Sequence, residues 1–137
     1  MTTYTQARDN LVTLINTSFS AAYPTMKVFY ENTVEVDVNT VGDMFVKVAI
    51  DMLDAVQVTI ETQPKRRVYG EITLQFMYKE GKGTRDALGL FDYVDALLSM
   101  KQLGGIVTRV TTPGRKLTKS GWAEFNLHVP FMFDSTA

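Results

Sequence analysis

Between residues 68 and 78 apolar side chains fall on every second position: Val68, Ile72, Leu74, Phe76 and Tyr78, with Gly70 in the same phase. The run 122–133 repeats the pattern with Ala123, Phe125, Leu127, Val129, Phe131 and Phe133. A helix would scatter such positions around its circumference, whereas a strand places all of them on one face. The two runs therefore predict two long strands, each with one face on a core. The first is expected to be the longest strand and central. The second carries Pro130, which lacks a ladder N–H, so an edge position or a bend is expected there.

Other segments fit around these strands. In residues 5–22, Ala7, Leu11, Leu14, Ile15 and Phe19 recur at helical spacing opposite Asp9, Thr13, Asn16 and Ser20. This predicts an amphipathic helix, capped by Thr5 or Thr3 and closed by Pro24. Residues 26–30 read as a short strand, and 31–42 as a polar loop or arm in which Val34, Val36 and Val38 alternate with acids. Residues 44–52 and 56–60 alternate again, with Asp54 between them as a turn, and Gln63-Pro64-Lys65-Arg66 reads as a solvated connection. A second helix is expected from Thr84 to about Gln102, stopped by Gly104-Gly105. Its apolar arc is wide: Leu90, Phe91, Val94, Leu97 and Leu98, extended sideways by Tyr93 and Met100. Such width predicts a buried helix or a second contact surface. Residues 106–111 read as a strand and 112–121 as a loop. The expected class is α+β, a mainly antiparallel sheet with two helices packed on it, in the order α-β-β-β-β-α-β-β.

The chain has 137 residues, which suits one domain spanning residues 1–137. It has no cysteine, which removes disulfide and thiol chemistry and cysteine-based zinc sites. A formal charge of -1 gives no bulk attraction to nucleic acid or to an anionic membrane. No apolar run approaches the ~20 residues that span a bilayer, and residues 1–10 carry no signal pattern, so a cytosolic product is expected.

The motifs that suggest chemistry each have a plainer reading. Gly81-Lys82-Gly83-Thr84 lies between a strand and a helix, as a phosphate-binding loop does, but the first glycine of that motif is missing and Lys82 is followed by Gly83 instead of Ser or Thr. A tight turn followed by a helix cap accounts for it better. His128 is the only histidine and shares a strand face with Trp122, Glu124 and Asn126, which points to a surface or interface residue. Asp92 and Asp95, with Asp86, share a helix but lack a ligand loop, and Asp51 and Asp54 flank a turn. No catalytic residue, cofactor or metal ligand is expected. Lys65-Arg66-Arg67 and the set Arg115, Lys116 and Lys119 form two small basic segments, too small for sequence-specific nucleic-acid recognition. Their acidic counterpart is Glu31, Glu35 and Asp37. Opposite charges on two sides of one subunit suit head-to-tail contacts between copies. The candidate interface set is therefore Glu31, Val34, Glu35, Val36, Asp37, Val38, Arg66, Arg67, Tyr93, Met100, Arg115, Lys116 and Lys119.

A strand carrying Arg67-x-x-Gly70-x-Ile72, then Gly81-x-Gly83 opening a helix that contains Asp92 and Asp95, then Gly121-Trp122 leading to Val129-Pro130-Phe131, resembles the tail-terminator (tail-completion) proteins of long-tailed, lambda-like bacteriophages. The resemblance covers most of the chain in outline, and residues 67–131 carry its motifs. It implies a structural virion protein, not an enzyme, that forms a commonly hexameric ring. The ring would cap the tail tube, end its polymerisation and offer a surface for head-tail joining. The implied partners are further copies of the chain, the tail-tube protein and a head-connector or neck protein. The implied location is the virion tail, assembled in the host cytoplasm. Two alternatives are another phage neck or tail-tube subunit and a small α+β module that binds a phosphorylated ligand at Gly81 to Thr84.

Overall fold

The computed structural model describes residues 2–30, 44–79, 85–119 and 121–136, with only the backbone course given for residues 85–87, 115–119 and 136. The chain is α+β, as the alternation and the helical spacings predict. Helix α1 (Tyr4–Ala22) starts from a capping box. The Thr3 hydroxyl accepts from the Gln6 N–H at 3.1 Å, and the Thr3 N–H donates to Gln6 Oε1 at 3.0 Å. Two of the helix's orphan donors are thereby satisfied. Strands β1 (Lys27–Tyr30), β2 (Met44–Gln57) and β3 (Lys65–Lys79) follow, then helix α2 (Arg85–Leu98). The chain continues through β4 (Gln102–Leu103), β5 (Ile106–Thr108), β6 (Thr112–Lys119) and β7 (Trp122–Thr136).

The strands form one sheet in the order β1-β2-β3-β7-β5-β4, with β6 also paired to β7. Only the β1–β2 pairing is parallel among those described. Strand β3 sits between β2 and β7 and pairs with β7 along its whole length, from Lys65↔Thr136 to Lys79↔Trp122. The predicted central strand is in its predicted place.

The even-numbered residues of β3 and the odd-numbered ones of β7 face the helices. Val68, Ile72, Leu74, Phe76, Leu127, Val129, Phe131 and Phe133 are buried there with Ala7, Leu11, Ile15 and Phe19 of α1 and Leu90, Val94 and Leu98 of α2. Fully burying one such side chain is worth about 1.5–3 kcal/mol, so the shared face is the main favourable contribution to folding. The wide arc of α2 is used here too, since Phe91, Tyr93 and Leu97 pack half-buried against the same core.

Several expectations are corrected. Asp54 is not a turn: β2 runs through it, with a register shift between Met52 and Asp54. Continued pairing with β3 outweighs the turn preference of one aspartate. The irregularity is absorbed as a bulge in which Asp54 Oδ1 accepts the Ala55 N–H at 2.8 Å. Strand β3 begins at Lys65, within the segment read as a connection, because Val58 N–H donates to Lys65 O at 2.8 Å and closes the hairpin. Residues 112–119 form β6 where a loop was expected, and a register shift between Pro113 and Lys116 accommodates the turn-forming Pro113-Gly114.

Helix α2 ends at Leu98, short of Gln102. The Thr108 hydroxyl of β5 hydrogen-bonds the Leu98 carbonyl and accepts the Lys101 N–H, and Met100 turns out with φ 52°. Tertiary capture of the last carbonyls thus stops the helix before the glycines do. Pro130 lies in an interior strand, at the gap between the β6 pairing, which ends at His128, and the β5 pairing, which starts at Phe131. Its carbonyl accepts the Arg109 N–H at 2.8 Å on that side. N and O of one strand residue point the same way, so the missing N–H faces the gap and costs the β3 ladder nothing.

Candidate interaction surface

The face of the sheet turned away from the helices carries most of the polar side chains of β3 and β7. Directly opposed residues share a face, so register identifies the contacts. Thr73 lies opposite His128, Gln75 opposite Asn126, and Arg67 opposite Asp134. His128 Nδ1 lies 3.0 Å from Glu71 Oε1 and 3.4 Å from Thr73 Oγ1, and Gln75 Nε2 donates to Glu124 Oε1. Both His128 contacts use the same ring nitrogen. A proton relay needs one nitrogen oriented while the other serves a nucleophile, so the arrangement is a cross-strand tie and not a triad. At one end of this face Phe45 is buried, with the Trp122 ring 5.2 Å and the Phe29 ring 5.9 Å from it, both edge-on.

At the other end Arg67 Nε and Nη2 donate to Asp134 Oδ1 and Oδ2 at 2.9 and 3.2 Å. This hydrogen bond first holds the Asp134 carboxyl below the ordinary aspartate value of 3.8; desolvation opposes it, and the charges of Arg67 and Lys65 add smaller lowering effects. A depressed folded-state pKa means that folding favours the ionised acid. The contribution is therefore complete above the ordinary value and is lost as pH falls through the folded one. Between about pH 5 and about pH 2 the wild type should lose more denaturant resistance than Asp134→Asn does, and added salt should narrow the gap because the pair is exposed. Parallel urea titrations of the two chains check this; identical acid dependence would remove the pair from the stability of the fold.

The same hairpin presents apolar side chains to solvent. Leu53 is 64% exposed, Val56 48%, Val58 42% and Ile60 97%. The bulge explains Val56. Before it, Met52 opposes Gly70 on the helix-facing side; after it, Ala55 opposes Val68 there, and Val56 opposes Arg67 on the far side. One inserted residue thus reverses which side chains reach the core. Shallow depressions flank this region. One of about 370 Å³ is lined by Tyr4, Met52, Leu53, Asp54, Ala55 and Val68, and one of about 290 Å³ by Ala55, Gln57, Pro64, Lys65 and Arg66. The Arg66 guanidinium lies 5.1 Å from the Tyr4 ring centroid, a cation–π contact that fastens the hairpin to α1.

No protein-family model matches the chain, and no curated protein does. The fold is nevertheless a known one. A solved structure of a protein without a functional description is similar, with TM-score 0.65 and 14% identity over 92% of this chain and 94% of that one. At that identity the likeness establishes the fold alone.

The structure disperses the candidate residues read from the sequence. Glu31, Val34, Glu35, Val36, Asp37 and Val38 lie outside the described residues, as does Gly81-Lys82-Gly83-Thr84. Arg66 and Arg67 are strand residues on opposite faces, one over Tyr4 and one paired with Asp134. Tyr93 is engaged within the chain: its hydroxyl donates to Ser18 O at 2.9 Å and its ring meets Phe19 and Tyr23 edge-on. Met100 lies past the end of α2 and is 72% exposed. Arg115, Lys116 and Lys119 fall on β6. Asp92 and Asp95 are exposed on α2, and among the described residues no three potential ligands converge on a metal position. Among the described residues no helix is long and apolar enough to cross a membrane. Leu53 and Ile60 were not singled out by the sequence. The available signal was that Val56, Val58 and Ile60 continue the alternation past Asp54 with no helix left over to cover them.

Proposed function

We propose that this chain is a structural ring subunit of a long-tailed phage, one that caps the tail tube, stops its growth and presents a surface for head-tail joining. The observation that carries the reading is the exposed apolar end of the β2–β3 hairpin, where Leu53, Val56, Val58 and Ile60 fall within one short segment. Exposed large apolar side chains gathered in one segment suit a surface that another protein covers. The sequence resemblance at Arg67, Gly70, Gly81, Gly83 and Val129-Pro130-Phe131 supplies the class of assembly. The cross-strand contacts of His128 with Glu71 and Thr73 support a rigid sheet as the body of such a subunit.

Capping requires a ring that closes at a fixed rotation, because a heterologous contact that does not close gives a filament. Solution mass at several concentrations, with negative-stain images of the same samples, is the test. Closed rings of one size, a hexamer in this reading, that bind the ends of purified tail tubes are expected. Open tubes from the chain alone would identify a tail-tube subunit instead. Failure of both ring and monomer to bind tube ends would overturn the capping role.

A further inference from the structure

Two stretches of sheet edge stand at opposite sides of this molecule. Across the sheet the order is β2, β3, β7, β6. Beyond Tyr30↔Val48 the parallel partner of β2 ends. Among the described residues, 51–57 of β2 have no strand on their outer side. On the far side, among the described residues, β6 pairs with β7 alone. These edges differ in charge. Residues 51–57 hold Asp51 and Asp54 and no base, while β6 holds Arg115, Lys116 and Lys119 and no acid. They share apolar content, with Leu53 and Val56 on one and Leu117 on the other.

We infer that residues 51–57 of β2 pair with β6 of a second copy of this chain, extending the sheet head to tail. The inference deepens the ring reading above and rests on it for closure. Three features select this partner. First, charge: acid meets base when β2 meets β6, whereas β2 with β2 or β6 with β6 sets like charges side by side, which is costly. Second, direction: β2 and β3, β3 and β7, and β7 and β6 are each antiparallel. Strand β6 therefore runs opposite to β2, so a copy placed alongside in the same orientation continues the alternation, with the helices of every copy on the same side. Third, coverage: the added strand lies beside the exposed Leu53 at the bulge and beside Val56, which the bulge turned out of the core.

The two edges are offset along the strands. Strand β6 runs beside residues 122–128 of β7, while residues 51–57 of β2 are level with residues 130–135 through β3. Pairing them staggers each copy against the last, and a staggered sheet closes when its strands tilt to the axis, as in a barrel. In the single chain Asp54 Oδ1 occupies the Ala55 N–H, one of the donors such an edge would offer. An acid that blocks its own edge is a guard against indiscriminate pairing. A lysine or arginine from a neighbour would draw that carboxylate away and release the donor.

The test is a charge swap read by sedimentation. Asp54→Lys and Lys116→Glu, each alone, should raise the concentration needed for assembly by about tenfold or more, and the double variant should assemble nearly as the wild type does. Each variant's melting curve reports folding separately. Because the chain has no cysteine, Asp54→Cys combined with Lys116→Cys supplies a second readout: oxidation should yield a ladder of covalent oligomers, and neither single variant should give more than traces of dimer. Rings that persist through both single charge reversals, with no ladder, would overturn the edge pairing and leave the ring reading standing. Open filaments that respond to the charge swap would support the pairing and overturn the ring. A folded wild type that stays monomeric at every concentration would overturn the pairing as a property of this chain alone, and tube-end binding would then decide the capping role.

Discussion

Replacing Gly70 by alanine is expected to destabilise the chain by about 3 kcal/mol, the upper part of the range for overpacking a core. Gly70 lies on the helix-facing side of β3 between Val68 and Ile72, opposite Met52 on one strand and Phe131 on the other. A Cβ there would sit 2.6 Å from the Asp51 carbonyl oxygen and 2.8 Å from Phe131 Cε1, and nearer still to Phe131 Cζ. The buried Phe131 ring fills the space that a side chain at 70 would take, and it stacks on Phe133 with centroids 6.4 Å apart. To admit a methyl group the ring must leave its place and the β2 backbone must move beside its bulge. Urea denaturation should show a lower midpoint at unchanged slope. Phe131→Leu added to Gly70→Ala should cost less than the sum of the single changes, because the two groups compete for one volume. A Gly70→Ala chain within about 0.5 kcal/mol of the wild type, the usual range for neutral sites, would show that the ring and the backbone do not meet here as described.

Phe19→Ala should cost roughly 3–5 kcal/mol, enough to lower the melting temperature by about 10 °C or more. Phe19 is 1% exposed and stands where both helices meet the sheet. Its ring centroid is 5.6 Å from Tyr93 of α2, 6.2 Å from Tyr23 and 6.5 Å from Phe76 of β3. Removing it opens a cavity among three aromatic neighbours that are held in place, Tyr93 by its hydroxyl on the Ser18 carbonyl as well. The site cannot collapse without breaking that hydrogen bond, which places the cost high in the range for Phe→Ala. Phe19→Leu keeps most of the volume and should cost about 1.5 kcal/mol. Equal effects of the two substitutions would mean that shape, and not volume, governs this junction. Both changes act on the body of the fold and leave the edges of β2 and β6 untouched, so they separate loss of folding from loss of assembly.

The candidate surface was legible only in part. From residue types the sequence offered a set of candidate interface residues and no motif with correct catalytic spacing. The location did not follow. Arg66 and Tyr93 looked available on their own segments, yet Arg66 lies over Tyr4 and Tyr93 is held by Ser18, Phe19 and Tyr23. Those contacts join residues far apart in the chain, and local spacing carries no trace of them.

The sequence by itself determined the strands β3 and β7, the central place of β3, the two helices and the residues they bury. Each of these rests on a periodicity that one element imposes on its own side chains, and burial of one face rewards that periodicity directly. Tertiary structure alone decided that β2 runs through Asp54 with a bulge just before it, that residues 112–119 form a strand, and that α2 stops at Leu98. In all three cases a neighbouring strand supplies hydrogen-bond partners that the segment's own preferences do not predict: β3 for the far half of β2, β7 for β6, and Thr108 for the last carbonyl of α2. The exposed apolar end of the hairpin is a consequence of the first of these. A single extra residue in β2 turned Val56 away from the core, and alternation read along one strand cannot register an insertion that exists only relative to its partner.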